Sequence, residues 1–237
     1  MTMRTASLVI ALLAMLCAGP ARADDDADPW EDFNRAMFSF NDGLDRWVLE
    51  PVAKGYDFIT PTPLEHCISN FFNNLRVPIQ SVNGFLQGKP VNGASDIGRF
   101  TVNTTLGLAG FLDPATTFGL VRHEEDFGQT LGVWGVNPGP YFVIPLLGPS
   151  TVRDAGAKFV DPEWYWARYL DNDTLYWSIW GFDKVRGRAN LLKAEKVIDE
   201  ASLDRYSFIR DAWWQRRRNQ VYDGSPPRDK EEEEPAK

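Results

Sequence analysis

DPWEDFNRAMFSFNDGLDRWVLEPVAKGYD, residues 28–57, decides the fold. Apolar side chains recur at Trp30, Phe33, Met37, Phe40, Leu44, Trp47 and Val48, which is helical spacing with one broad apolar face. Asp28 stands where an N-cap is expected, Pro29 at the first helical position, and Glu31 as the reciprocal acid of a capping box. Pro51 is expected to end or kink this helix, because proline lacks an N–H and disfavours helical geometry before it.

Upstream, residues 1–23 read as a secretory signal. Arg4 supplies the positive start, Ala6 to Leu16 is an apolar run too short to span a bilayer, and Ala21-Arg22-Ala23 is a small-x-small cleavage site. Cys17 raises a second reading, a lipidated cysteine. Leu16 fills the preceding position, where a small residue is wanted, so cleavage after Ala23 is expected and lipidation of Cys17 is the lesser alternative. Removing 23 of 237 residues leaves 214, ample for one cored domain, and takes the formal charge from −8 to −10. That acidic balance argues against nucleic acid as a partner and leaves membrane binding open. Cys67 is then the only cysteine, so no internal disulfide can form. Nine tryptophans either fill a helical core or sit at a membrane–water interface.

Downstream, Thr60-Pro61-Thr62-Pro63 marks a turn, and a second helix starts near Leu64 with Ile68, Phe71, Phe72 and Leu75 on one side. Pro78 interrupts it, and Ile79, Val82, Phe85 and Leu86 resume the pattern. A third helix covers Asn92 to Leu106, with Ala94, Ile97, Phe100 and Thr104 expected to face inward. Leu106 to Val121 is apolar but broken by glycine and proline. It packs inside protein or meets lipid. Asp126 to Gly148 is the least helical part and predicts a hairpin around Tyr141-Phe142-Val143-Ile144, with an apolar tip at Pro145-Leu146-Leu147. Ser150 or Thr151 caps the next helix, through Val152, Ala155, Phe159 and Val160. A tryptophan-rich stretch, Asp161 to Phe182, precedes two helices, roughly Asp183 to Glu200 and Asp204 to Tyr222. Arg216, Arg217 and Arg218 suit the end of the last one. The acidic residues 223–237 lack branched apolar and aromatic side chains and are expected to be disordered.

Catalytic patterns are scarce. His66 and His123 form no metal spacing with Cys67, and no G-x-S-x-G occurs. His123-Glu124-Glu125-Asp126 is expected to be a solvated turn. GFLQGK at 84–89 resembles a phosphate loop only loosely, since its glycines are too close and Pro90 replaces Ser or Thr. No catalytic residue, metal or cofactor is expected. Asp96, Arg99, Arg153 and Asp154 lie beside apolar sequence, where an unpaired charge is costly. They form structural ion pairs or line a polar strip for lipid headgroups, and the ion-pair reading is the simpler one.

Five long blocks resemble the MlaA/VacJ family, in family order. They are PWEDFNRAMFSFNDGLDRWVLEPVAKGY, NFFNNLRVPIQSVNGFLQGK, DIGRFTVNTTLGLAGFLDPAT, EDFGQTLGVWGVNPGPYFVIPLLGPSTVRD and RYSFIRDAWWQRRRNQVYDG. The resemblance implies a mainly α protein in which residues 24–222 form one ring of amphipathic helices around a central channel, with a short hairpin-like loop. It implies a place on the periplasmic face of a Gram-negative outer membrane, and the removal of mislocalised phospholipid from the outer leaflet. The implied partners are phospholipid, a trimeric porin and a soluble periplasmic lipid carrier. Gly139 to Pro149 matches the family's hairpin near the channel, so Gly139, Tyr141, Phe142, Leu146, Leu147 and Gly148 are candidates for a gating loop. Trp30, Phe33, Met37, Phe40 and Trp47 are candidates for membrane embedding. Two alternatives stay open: a porin-associated scaffold that moves no lipid, and a periplasmic phospholipase.

Overall fold

The computed structural model describes residues 28–160 and 172–227, and only the backbone of 193–201. The leader with Cys17, the stretch holding Trp164 and Trp166, and residues 228–237 lie outside the described residues. The order of elements is α1 (Glu31–Leu44), a π-helical turn (Asp45–Leu49), α2 (Glu50–Ile59), α3 (Thr62–Leu86), α4 (Pro90–Thr105), α5 (Pro114–Thr117) and α6 (Phe127–Val133). Then come strands β1 (Tyr141–Ile144) and β2 (Gly148–Thr151), α7 (Val152–Val160), α8 (Asp173–Ala201) and α9 (Arg205–Val221). The protein is mainly helical. The strands pair antiparallel as one hairpin, Tyr141 opposite Thr151 and Ile144 opposite Gly148. No helix among the described residues is long and apolar enough to cross a membrane.

Several local expectations are corrected. Asp28 caps nothing: α1 begins after Trp30 without a side-chain cap. The Asp28 carboxylate instead accepts from Asn34 Nδ2 at 2.5 Å and from the Tyr206 hydroxyl, tying the start of α1 to α9. Pro51 does not stop the helix. The π-helical turn before it widens the ladder, with Glu50 N–H donating to Asp45 O, and makes room for a proline in the first turn of α2. Pro78 also lies inside an unbroken helix, on its exposed side, with Asn74, Val77 and Ser81 buried around it. The helix expected from Asp183 starts ten residues earlier, so Trp177 and Trp180 belong to α8. Thr151 does cap α7, its Oγ1 accepting from Asp154 N–H at 3.3 Å.

The larger correction concerns which way the helices face. On α4 the buried positions are Gly93, Asp96, Arg99 and Asn103. Ala94, Ile97 and Thr104, expected inside, are exposed, and Phe100 is half-buried. The second half of α3 buries Gln80, Ser81, Asn83 and Gly84 and exposes Val82, Phe85 and Leu86. On α7, Arg153 and Asp154 are inside while Phe159 and Val160 are outside. In the loop after α4, Leu106, Leu108, Phe118 and Val121 are all more than 60 % exposed. Among the described residues, buried polar and charged side chains outnumber buried apolar ones. In water such an arrangement forfeits the main driving force for folding, which is removal of apolar surface from solvent. It is the arrangement expected where the surrounding medium is itself apolar.

Apolar cores are correspondingly small. Ala53, Tyr56 and Ala189 join α2 to α8, Phe72 packs with Tyr176, Ile179 and Trp180, and Tyr141, Val143 and Tyr206 join the hairpin to α9.

Candidate functional site

Two asparagines on α1 hold the hairpin. Asn34 is fully buried; its Nδ2 donates to Tyr141 O at 3.2 Å and its Oδ1 accepts from Val143 N at 2.8 Å. Seven residues on, and so on the same helix face, Asn41 Nδ2 donates to Ile144 O at 3.0 Å and its Oδ1 accepts from Leu146 N at 2.8 Å. The two amides act as substitute peptide groups along the open edge of β1. Pro149 stands opposite Val143, whose N–H is already turned away to Asn34, so proline's missing donor costs nothing there. At the tip, Leu147 N donates to Ile144 O at 3.2 Å around Pro145 and Leu146. Leu146 has φ +67°, a conformation that usually calls for glycine, and it is 60 % exposed.

Of the expected hairpin residues, Leu146 and Leu147 project outward and Phe142 meets Trp30 edge-on at 6.4 Å. Tyr141 is wholly buried against Trp213 and Trp214 and serves the core. Gly139 and Gly148 both have positive φ, at the hairpin's two entrances. Trp30, Phe33, Phe40 and Trp47 are exposed, with Trp47 at 86 %, whereas Met37 packs against the cluster of Tyr141, Val143 and Tyr206.

The four charged candidates fall into separate networks. Arg99 is buried and binds Asp113 through Nη2 at 2.9 and 3.0 Å, Thr116 Oγ1 at 3.1 Å, and Leu120 O, fastening the loop after α4 back onto that helix. Asp96 is 1 % exposed and receives His123 N and Nδ1, both at 3.3 Å. Burial pushes the Asp96 carboxyl above its ordinary value, and the contacts with His123 only partly oppose this.

Arg153 and Asp154 belong to a network centred on Arg217. Arg217 Nη1 and Nη2 grip Asp126 at 2.6 and 2.8 Å, while Nε and Nη2 grip Asp154 at 2.8 and 2.9 Å. Arg153 Nε also bonds Asp154, at 2.9 Å. Burial opposes ionisation of Asp126, yet the Arg217 guanidinium overrides it and holds the carboxyl at about 2. Asp126 also caps α6 through Gln129 N–H at 2.8 Å. Gly128 lets this network pass: a Cβ there would overlap Arg217 Nη2 and stand 2.5 Å from Asp154 Oδ1.

One expectation therefore fails here. The turn at His123–Asp126 is not simply solvated, since Glu125 is buried and bonds Gln87 at 2.9 Å and Lys89 at 3.0 Å. Arg217 stands near the end of the last helix as expected, and it is buried there between two carboxylates. The signal was hidden because a charge run looks alike in sequence whether it meets water or an opposite charge.

Between α3, α6, α7, α9 and the hairpin lies a cleft of about 320 Å³. Arg76, Arg122, Lys158, Arg216 and Arg217 line it, against Glu124, Glu125, Asp126 and Asp154, with Ile79, Phe127 and Trp213 as apolar wall. A second cleft, beside Lys89 and His123, shares Glu124, Glu125, Arg216 and Gln220 with the first. Sequence reading found Asp154 in this lining and missed Arg76, Arg122, Lys158, Arg216 and Glu124. They come from four separate segments, and only the fold brings them together. No cluster of three or more metal-type ligands occurs among the described residues.

Fold and cleft together define a mainly helical protein with extensive exposed apolar surface and a charged, amphipathic cleft. A family model described as MlaA lipoprotein matches residues 26–220. The chain is 37 % identical over 219 residues to the intermembrane phospholipid transport system lipoprotein MlaA of Shigella flexneri, covering 87 % of this chain and 85 % of the relative. The protein of the same name from Haemophilus influenzae is 33 % identical, with 97 % and 96 % covered. A solved structure reported as "Structural basis for maintenance of bacterial outer membrane lipid asymmetry" superposes with TM-score 0.72 at 38 % identity, covering 82 % of this chain and 98 % of that one. The chain belongs to the MlaA lipoprotein family.

Proposed function

We propose that this chain is the outer-membrane component of a phospholipid transport system that maintains lipid asymmetry. It would take mislocalised phospholipid from the outer leaflet and pass it intact to a soluble periplasmic carrier. The observation that carries this reading is the inverted burial, with valine, leucine, isoleucine and aromatic side chains outside and paired charges inside. Such a body sits in one leaflet without spanning helices. In this reading the helices close into a ring whose interior cleft continues as a channel, and a porin trimer gives the ring its lateral support. Export by the signal at 1–23 places the chain on the periplasmic face. Handing over an intact lipid breaks no bond, so the protein acts without catalysis.

In this reading the exposed tip of the hairpin, with Leu146 and Leu147, gates the lipid route, and Trp30, Phe33, Phe40 and Trp47 enter the bilayer. Deleting the gene should raise the phospholipid reachable by an externally added phospholipase on intact cells, and the wild-type chain should restore the low level. A Leu146→Arg variant should fail to restore it while reaching the membrane in normal amount. Full restoration by that variant would remove the hairpin tip from the route. Accumulation of lysophospholipid on overexpression would replace transfer with hydrolysis.

A further inference from the structure

Arg122 and Arg216 differ from the other cations of the cleft. Arg122 is largely enclosed, and its Nε lies buried without a hydrogen bond. The acid bonded to it is Glu124, at 3.2 Å and itself 55 % exposed. Burial pushes the Arg122 guanidinium below its ordinary value; Glu124 opposes this, and Arg76 and Arg99 add repulsion. Arg216 is exposed, lines both clefts and makes no ion pair among the described residues. So the lining carries five cations against four acids, in a chain whose formal charge is −8. Asp126 and Asp154 are already engaged by Arg217, and Glu125 by Lys89. Arg76 pairs with Asp183, outside the lining, Arg122 has only the half-exposed Glu124, and Arg216 has no acid among the described residues. The loop bearing Arg122 and Glu124 is held in place, since Gln129, which is 2 % exposed, donates from Nε2 to Glu124 O at 2.8 Å.

We propose that Arg122, Arg216 and Glu124 form a headgroup-reading site for a zwitterionic phosphate ester. The two guanidiniums take the phosphate, and the Glu124 carboxylate takes the ammonium of a phosphoethanolamine headgroup. The proposal rests on the phospholipid-transfer reading above and adds the class of lipid selected. Guanidinium matches phosphate in geometry and charge. A phosphate that takes the Nη2 edge of Arg122 displaces Glu124 from it. A headgroup with its own ammonium gives the displaced carboxylate a new partner. A phosphoglycerol headgroup sets it against a second anion, and like charges in a partly enclosed site repel. At about 320 Å³ the cleft is at the lower end for small-molecule sites, so it holds a headgroup rather than a whole diacyl lipid. Ile79, Phe127 and Trp213 start the apolar path for the chains.

The test uses the purified full-length protein, equilibrated with vesicles of equal phosphatidylethanolamine and phosphatidylglycerol, with the retained lipid quantified by mass spectrometry. Wild type should retain mainly phosphatidylethanolamine. Glu124→Gln should lower that preference about tenfold while total lipid stays within about twofold, and Glu124→Lys should reverse it. Arg122→Gln and Arg216→Gln should each lower total lipid about tenfold. Arg216 is exposed, so its variant keeps the test valid if loss of Arg122 disturbs folding; unchanged melting checks this. Equal retention of both lipids by wild type, or an unaltered ratio in Glu124→Gln, overturns the headgroup assignment and leaves transfer standing. Absence of any retained phospholipid in wild type overturns both.

Discussion

Arg217 and Arg216 are neighbours in sequence and line the same cleft, yet they serve different ends. Arg217 is buried, grips two carboxylates and passes through the space left by Gly128. Arg216 is exposed and holds no acid among the described residues. The first charge is fully satisfied within the fold and works as a structural bolt joining α6, α7 and α9. The second is left available to something that is not protein. Side-chain identity does not separate these roles; the count of partners does.

Breaking the bolt should have the largest effect. Arg217→Met leaves the buried Asp154 and the half-exposed Asp126 without their main partner and should lower unfolding free energy by about 3–5 kcal/mol, measured by denaturant titration in detergent. Gly128→Ala sharpens the point, since it removes no charge yet thrusts a methyl group into the Arg217–Asp154 contact. A loss of about 1–3 kcal/mol is expected there, and a melting temperature equal to wild type would mean the network is looser than it looks. Asn34→Ala should cost about 2 kcal/mol, because it strands buried peptide groups of β1, and should raise amide exchange at Val143 before other sites. Arg216→Gln, by contrast, should shift stability by under about 0.5 kcal/mol.

Acid separates the two regions a second way. Asp126 is held at about 2 in the folded protein, below its value of 3.8 in an unfolded chain. Its contribution to stability is therefore complete above 3.8 and is lost as pH falls towards 2. Asp96 has the opposite sign: its raised value means that folding binds extra proton, so its ionisation weakens the fold as pH rises past 3.8. Asp96→Asn should leave stability at neutral pH equal or slightly higher, and Asp126→Asn should lower it. Thermal melts of both variants across the acid range check these signs.

Much of the helical fold was legible from spacing and punctuation. The Ile68–Phe71–Phe72–Leu75 face, the hairpin and the cap at Thr151 stand where the residues place them. What misled was an assumption about solvent. Ile97 and Thr104 were expected inward because apolar faces seek protein when water surrounds them, and on α4 they face out. Periodicity reports that a helix has two faces; it does not report which one meets the medium. The proline expectations failed for another reason. Pro51 and Pro78 forbid one hydrogen bond each, and a π-helical turn or a well-held flank absorbs that loss. The cleft was least legible, since Arg76, Arg122, Lys158 and Arg216 come together only through long-range packing.

The outward-facing apolar surface also sets how this protein tolerates mutation. In a water-soluble domain the interior is strict about size and the surface is permissive about chemistry. Here Val82, Phe85, Ile97, Leu106 and Phe118 are exposed, and if the proposed bilayer surrounds them they should exchange freely among one another's residue types. The strict positions are polar: Asn34, Asn83, Asp113, Arg99 and Gln129, each fixed by hydrogen bonds of one geometry. A complete substitution scan would look like the negative of one taken on a soluble helical protein, with its deepest losses at asparagine, arginine and aspartate and its flattest stretches at leucine and phenylalanine.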